Sequence, residues 1–520
     1  MQHHPVESGE PAEAVDVVVV GGGIAGLTAA ALLADAGQRV VLLESHHQSG
    51  GCAGTFRRGP WTFDVGATQV AGLEPGGIHQ RLFQHFGLPC PKASPLDPGC
   101  VVDLDDGLPP VRLWRDPQRW QAERQRQFPG SERFWQWCAA LHRANWAFAG
   151  RDPVLPPRNA WDLQQLLGAL GPANLASGLL TAATIADLQR WSGCGSDRRL
   201  RRFLDLQLRL YSQESADRTA ALYGATVLAM AQEPLGLWHL EGSMQSLSTA
   251  LEAALRQVGG QLRLRHRVQR LQRHGQTWLV SGVAAAGTLK LQARDVVLTV
   301  PPQGLPSLLA DALPPGYQRR LQNLPEPSGA LVFYGALERA RLPQDCPSHL
   351  QSDWNDPGSL FVSVSQDGDG RAPAGQATVI ASVFTPARAW FDPDLADRDA
   401  RNARKAPLLA GIQRGLERLL GVAPDAWLHA ELATPRAFAH WCGRPWGYVG
   451  GLGQHPSAFG PFGLASRTPL QGVWLCGDAI YPGEGTAGVS LSALMACRQL
   501  LASHGQSLSL RCDPATQTQA

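Results

Sequence analysis

Lysine is almost missing: of 46 basic residues in a chain of 520, only Lys92, Lys290 and Lys405 are lysine. Codon bias in a GC-rich genome accounts for the arginine excess more simply than function does. The 46 basic residues face 44 acidic ones, for a net charge of +2, so there is no electrostatic footprint for a nucleic-acid partner. The ten cysteines (Cys52, Cys90, Cys100, Cys138, Cys194, Cys346, Cys442, Cys476, Cys497, Cys512) include no CxxC pair and no metal-ligand spacing. That excludes a zinc module, and reduced thiols in a cytoplasmic protein are the expectation. No run approaches the roughly 18 apolar residues that a spanning helix needs, so membrane contact is expected to be peripheral. The opening MQHHPVESGEPAEA has neither a basic n-region nor an apolar core, and no signal peptide is expected. GxSxG, HExxH and GxxxxGKS/T are absent too, which removes three common catalytic signatures.

Hydrophobic residues at 44% and charged residues at 17% describe a globular protein on the apolar side, and the length points to two domains. Sixteen tryptophans against six tyrosines suggest broad apolar surfaces or a large greasy cavity. In VDVVVVGGGIAGLTAAALLADAGQRVVLLES, Val17–Val20 is a β-branched run suited to a strand buried on both faces of a parallel sheet. An Ala/Leu-rich helix runs to about Ala36, Gly37 caps it, and Arg39–Leu43 is the next strand, making one βαβ unit. From about Leu73 to Met230 come Trp-, Gln- and Arg-rich helical pieces broken by proline. GSMQSLSTALEAALRQVGGQLRLRHRVQRLQ and RDVVLTVPP then return to helix and buried strand. Segments between Gly329 and Phe384 alternate like strands of a half-buried antiparallel sheet, and a helix is expected near Ala403–Leu420. These textures predict a discontinuous Rossmann-type domain of residues 15–72, 231–302 and 470–503, of α/β class. Residues 73–230 and 303–469 form an inserted α+β substrate domain of antiparallel sheet and helices, and residues 1–14 and 504–520 are flexible tails.

Gly21-x-Gly23-x-x-Gly26 lies between the first strand and helix. The first glycine makes the tight turn, the second lets backbone approach a pyrophosphate, and the third lets helix pack on strand. The helix opening at Ile24 and Ala25 presents free N–H groups to that anion. Glu44 follows about 20 residues on, where a carboxylate accepts hydrogen bonds from ribose hydroxyls and repels a 2′-phosphate. SHHQSGGCAGTFRRGPWTFDVGAT continues the cradle at Gly50 and Gly51, and its WTFDVGAT part reads as a strand ending in a turn at Gly66. Far along the chain, CGDAIYPGEGTAGVS (Cys476–Ser490) reads as a short strand, a glycine-rich turn and a helix start.

In this order the segments resemble the amine-oxidase and phytoene-desaturase group of flavoproteins, over nearly the whole chain from about Asp16 to Leu501. The resemblance implies FAD rather than NAD. It places Gly477 and Asp478 at the ribityl chain and pyrophosphate, the first helical turn from Thr486 to Val489 at the flavin's pyrimidine edge, and the backbone of Val268 in RHRVQRL at the adenine. A helix N-terminus at that edge stabilises negative charge on the reduced ring. FDVGATQVAGLEPGGIH, YPGEGTAGVSLSA, WRDPQRWQAERQRQFPGSERFWQ and LDLQLRLYSQ (Leu204–Gln213) look like the carotenoid desaturase and isomerase branch, most like cyanobacterial carotenoid C-3′,4′-desaturases. That likeness implies removal of two hydrogens from the end region of a 1′-hydroxylated γ-carotene-type substrate, reoxidation by a quinone or oxygen, and docking on a membrane surface. A cis–trans isomerase using reduced FAD is the alternative on the same scaffold. A non-catalytic flavin- or carotenoid-binding protein is a third reading, disfavoured because drift would have damaged one of three intact cofactor segments.

Desaturation beside a polyene needs a hydride acceptor, a proton acceptor and an apolar slot that excludes water. Trp114, Trp120, Trp135, Trp137, Trp146, Trp161, Trp191 and Trp238 are candidate walls of that slot or of a membrane-facing entry. Glu484 in YPGEGTAG is the candidate proton acceptor, its other reading being a solvated turn carboxylate or one bonded to neighbouring N–H groups. His239 in GLWHLEGSM is a second candidate. Cys52 is expected to pack against the cofactor without a covalent link to it.

Overall fold

The computed structural model describes residues 12–285, 287–353 and 358–511. Residues 1–11 and 512–520 of the expected tails, Cys512 among them, lie outside these. Within the expected C-terminal tail, Leu510 is buried in a hydrophobic core, and the ring of His504 lies 2.8 Å from Asp295.

Two seven-stranded sheets dominate. The first runs in the order Arg267–His274, Thr277–Ala284, Gly287–Leu298, Glu13–Val20, Val40–Leu43 and Gln261–Arg263, with Val473–Leu475 beside the end of Gly287–Leu298. Its central pairings are parallel: Val20 faces Leu298 on one side and Leu43 on the other, and Leu298 also faces Leu475. The β-branched run at Val17–Val20 follows from burial on both faces, since Val17 and Val19 enter one hydrophobic cluster and Val18 and Val20 another. Helices Ile24–Asp35 and Gly485–Ser503 pack against each other over this sheet. Ile24–Asp35 is apolar almost all round because every residue but Asp35 is buried, and Gly485–Ser503 is buried mainly over Ser492–Leu501.

The second sheet runs Trp427–Ala433, Ser328–Glu338, Gln376–Pro386, Leu360–Val364, His349–Ser352, Val101–Asp103 and Val111–Arg112. It is antiparallel except where His349–Ser352 meets Val101–Asp103. The expectation of a half-buried sheet fails at Ser328–Glu338, whose interior residues are all buried. Leu331, Phe333 and Leu337 pack under helix Arg398–Leu420, while Ala330, Val332 and Tyr334 pack against Phe63 and Phe438. A two-sided cover removes the polar face.

Helices Pro117–Gln127, Glu132–Ala149, Ile185–Trp191, Arg198–Ser212 and Ala221–Val227 form a lobe with its own core. There Trp120 and Trp135 meet edge to face at 5.6 Å. The tryptophans expected to wall a slot are therefore spent elsewhere. Trp114, Trp137 and Trp238 lie under the guanidinium groups of Arg119, Arg133 and Arg115 at 3.7, 4.9 and 4.6 Å. Trp161 packs on another core and Trp191 faces solvent. Only Trp146 among them lines the cavity described below.

A buried polar cluster ties hairpin Thr55–Asp64 to the second sheet. Arg371 donates to Asp64 at 3.1 Å, to Asp369 at 3.1 Å and to the Leu240 carbonyl at 2.9 Å. His239 Nε2 lies 2.9 Å from both Asp369 and Arg371. His239 is thus part of this cluster and outside the cavity lining, which removes it as a proton acceptor for a substrate.

Candidate active site

A cavity of about 760 Å³ opens where the glycine turns of the first sheet face the second sheet and the helical lobe. Gly21, Gly23, Ala25, Glu44, Gly50, Gly51, Gly66, Gly477, Asp478, Glu484, Thr486 and Val489 all line it. Two expected site residues do not. Gly26 sits behind the lining, where a Cβ would stand 1.8 Å from the Gly21 carbonyl oxygen, so its role is helix-to-strand packing. Val268 is half-buried against the core beside its strand.

Local geometry explains the glycines. Gly21 has φ of +104° and Gly50 of +114°, values that disfavour any side chain. Gly23 caps helix Ile24–Asp35, and a Cβ there would meet no protein atom within 4 Å. It leaves open the approach to the free N–H groups of that helix. Glu44 is fixed beside it: its carboxylate accepts from the backbone N–H of Gly22 at 2.6 Å and of His46 at 2.7 Å. A helix N-terminus for an anion and an anchored carboxylate for hydroxyls, on one apolar cavity, suit the pyrophosphate and ribose of a dinucleotide. At the other end, Glu484 caps helix Gly485–Ser503, whose first turn also lines the cavity. Both packed helices therefore present their positive ends to one space.

Glu484 is held by a residue the sequence did not single out by role. Gln213, with φ of +58°, ends helix Arg198–Ser212. Its amide donates to Glu484 and, at 3.1 Å, to the Gly451 carbonyl, while its carbonyl accepts from Ser328 N–H at 2.9 Å. Burial, the largest influence, pushes the Glu484 carboxyl up to about 8, helped by the Asp478 charge and opposed by the Gln213 hydrogen bond. Burial thus favours its protonated form. Arg444, which also lines the cavity, pairs with Asp478 at 2.9 Å. No periodicity or motif marked Arg444. Much of the remaining wall is apolar, with Phe148, Leu166, Leu170, Leu222, Val227 and Met230 from helical segments and Ala330, Val332 and Phe384 from the second sheet, while Arg81, Asn145 and Asn174 are polar members of it.

Comparison with known proteins agrees with this geometry. A family model described as flavin containing amine oxidoreductase matches residues 24–501. Prolycopene isomerase 2, chloroplastic, of an Oncidium hybrid cultivar is 25% identical over 518 residues, covering 95% of this chain and 85% of that protein. Human all-trans-retinol 13,14-reductase is 48% identical over 66 residues, covering 13% of this chain and 11% of that one. Among solved structures, wild-type putrescine oxidase bound to putrescine superposes with a TM-score of 0.64 at 19% identity, covering 95% of this chain and 100% of that chain.

Proposed function

The chain belongs to the flavin containing amine oxidoreductase family and is an FAD-dependent oxidoreductase, and from that premise we propose that it is a carotenoid C-3′,4′-desaturase. Its substrate in this reading is a γ-carotene-type polyene, 1′-hydroxylated, that loses two hydrogens from its end region. The observation that carries the reading is the cavity itself, in which a dinucleotide cradle and a buried carboxyl group open into an apolar chamber. FAD, when bound, supplies a two-electron hydride acceptor. In the proposal, Gly21, Gly23 and the N–H groups at Ala25 hold the pyrophosphate, and Glu44 the ribose. Gly50, Gly51, Gly66, Gly477 and Asp478 line the seat of the cofactor's remaining length, Thr486 and Val489 face its flavin end, and Val268 serves the adenine end. The helical lobe excludes water and aligns the polyene. Glu484 takes the proton, oriented by Gln213.

A second reading, a carotenoid cis–trans isomerase using reduced FAD, draws on the near full-length likeness to prolycopene isomerase. Holoenzyme supplied with γ-carotene-type and 1′-hydroxylated substrates, with quinone or oxygen as acceptor, separates the two. A red-shifted product lighter by two hydrogens establishes desaturation. An unchanged mass with altered retention establishes isomerisation. No conversion of any carotene by FAD-loaded protein overturns both.

Glu484→Gln is expected to lower turnover roughly 100-fold or more, the usual worth of a positioned proton-transfer group, while FAD content stays near wild type. As a proton acceptor Glu484 must be ionised, so wild-type turnover rises with pH through about 8. A proton donor gives the opposite slope. Unchanged turnover in the variant removes Glu484 from the chemistry.

Leu163, Leu167, Leu175 and Leu179 are exposed on and after helices Ala160–Ala169 and Pro172–Gly178, and Leu179 is 88% exposed. Leu166, Leu170 and Ser177 of the same segment line the cavity. No helix among the described residues is long and apolar enough to cross a membrane. We place the bilayer contact at these leucines, beside the chamber a membrane-dissolved substrate must enter. Leu175→Asp combined with Leu179→Asp is expected to weaken sedimentation with phosphatidylcholine vesicles at least about tenfold, since each leucine contributes roughly 1.5–3 kcal/mol on burial. Undiminished sedimentation rejects this patch.

A further inference from the structure

The helical side of the cavity carries amide and hydroxyl groups that the proposed reaction does not use. Asn145, on helix Glu132–Ala149, has a fixed orientation there. Its Nδ2 donates to the Leu222 carbonyl at 2.6 Å and to Thr226 Oγ1 at 3.2 Å. A backbone carbonyl only accepts, so the amide must meet Leu222 through its nitrogen and cannot be turned over. Its oxygen, Oδ1, therefore points the other way. Among the described residues no donor reaches Oδ1, and it is not one of the unpartnered polar atoms sealed inside the protein. Asn145 lines the cavity, so the open space that this oxygen meets is the chamber.

The hydroxyls on the same side have spent their hydrogens. Thr226 donates to the Leu222 carbonyl at 3.2 Å, Ser177 to the Asn174 carbonyl at 3.1 Å and Thr181 to the Gly178 carbonyl at 2.5 Å. Tyr223 donates to the Tyr211 carbonyl at 2.6 Å, and Tyr211 to Gln69 Oε1 at 3.3 Å. All of these side chains line the cavity, and what remains on them for a ligand is acceptor capacity. Arg81, a cation that lines it too, is paired with Asp152 at 3.0 Å. We infer that Asn145 determines which polyene the chamber selects. Its side-chain carbonyl accepts a hydrogen bond from a hydroxyl at the end of the substrate, so a hydroxylated polyene is taken in preference to its ether or hydrocarbon counterpart. This rests on the reading that the chamber admits a polyene, and adds which atom chooses among polyenes.

A hydroxyl suits this surface because it brings a hydrogen to Oδ1. A methyl ether sets lone pairs against lone pairs, and a hydrocarbon leaves Oδ1 without a partner among the apolar side chains of Phe148, Leu222 and Val227. A site built to bond a hydroxyl rejects the analogue lacking it, since its own polar group is then left unpaired. The position of Asn145 fits the proposed reaction as well. Leu222 holds it from helix Ala221–Val227, where the ring of Tyr223 meets Phe459 at 5.5 Å, and Phe459 meets Tyr481 at 5.8 Å. Tyr481 belongs to the turn that carries Glu484. The selecting oxygen is thus tied by a short chain of contacts to the turn of the proposed proton acceptor, as a hydroxyl only a few bonds from the reacting carbons requires.

The test titrates FAD-loaded protein with 1′-hydroxy-γ-carotene, its 1′-methyl ether and γ-carotene in detergent micelles, reading binding from the quenching of tryptophan fluorescence. Trp146, in the cavity wall, is the expected reporter. Wild type is expected to bind the alcohol roughly tenfold tighter than either of the others, the worth of one net hydrogen bond. In Asn145→Leu the alcohol loses that advantage, while γ-carotene binding stays within about twofold and shows the chamber intact. Asn145→Ala gives the same result with less bulk. In Thr226→Val most of the preference remains, because the Leu222 carbonyl still aims the amide. Where turnover is followed, Asn145→Leu raises KM for the alcohol and leaves kcat nearly unchanged. Equal binding of alcohol and ether by wild type overturns the inference, and so does a preference that survives in both Asn145 variants; neither outcome touches desaturation. Failure of all three polyenes to bind overturns the inference together with the reading it rests on. Alcohol-selective binding without conversion upholds the inference and removes desaturation.

Discussion

Gly26→Ala yields a folded chain that retains less than about one-tenth of the wild-type FAD, a loss of at least roughly 1.4 kcal/mol in binding. The added Cβ would stand 1.8 Å from the Gly21 carbonyl oxygen and 3.0 Å from its carbon. Neither side can yield. Gly21 N–H is bonded to the Leu43 carbonyl at 2.9 Å, and the Gly21 carbonyl accepts from Thr299 Oγ1 at 3.0 Å. Helix Ile24–Asp35 is in turn packed on helix Gly485–Ser503. The overlap must therefore open the turn that faces the cofactor, and the loss appears in FAD occupancy before it appears in secondary structure. Flavin absorbance relative to protein absorbance in the purified variant reads it directly. Gly316→Ala is the control, because a Cβ at Gly316 meets nothing within 4 Å. Equal flavin content in the two variants refutes the packing role of Gly26.

The largest loss of stability is expected from Arg371→Met, roughly 3–5 kcal/mol, the cost of leaving buried charges without their partner. The side chains of Arg371, Asp64 and Asp369 are 4%, 2% and 5% exposed, so water cannot replace the missing guanidinium. Asp64 would keep the hydroxyl of Thr55 at 3.0 Å and the N–H of Met244 at 2.8 Å, but no cation. Adding Asp64→Asn to Arg371→Met recovers part of the loss, since it removes one orphaned charge. Urea unfolding measures both. Removing the half-exposed pair of Arg58 and Glu431 costs about 1 kcal/mol or less, and a comparable effect at Arg371 would show that its cluster is not stabilising. The same cluster adds an acid limit. Burial opposes ionisation of Asp369, yet the His239 hydrogen bond and the Arg371 charge hold its carboxyl below the ordinary value of 3.8. Its contribution is present above that pH and is lost as the pH falls through the lowered value.

Much of the cofactor side was legible because its rules are local. A β-branched run, three spaced glycines and a carboxylate about 20 residues on specify a turn whose parts lie close in sequence. The resemblance then placed the distant glycine turn on the same cavity. What stayed hidden depends on contacts between remote segments. Gln213 reaches Glu484 and Arg371 reaches Asp64, and no spacing rule links such positions. The tryptophans misled for a different reason. An indole is equally at ease in a core, under a guanidinium or in a cavity wall, so its abundance does not say which. Ser328–Glu338 misled because an alternating pattern gives no sign that a second layer covers the face expected to meet solvent.

The order of strands in the first sheet has a consequence for how the protein is made. Strand Glu13–Val20 gains its neighbour Val40–Leu43 almost at once, but its other edge waits for Leu298, which pairs with Val20 and is synthesised 278 residues later. At about 5–20 residues per second a ribosome needs roughly a quarter of a minute to a minute to supply it. The last strand, Val473–Leu475, and the helix beginning at Gly485 come later still. During that interval a strand edge whose Val17–Val20 half is wholly apolar stands open, the kind of template that neighbouring nascent chains can pair with. Yield in a foreign host should therefore respond to chaperone supply and slower translation more than to added riboflavin, because the seat for the flavin exists only once the ribosome has nearly finished.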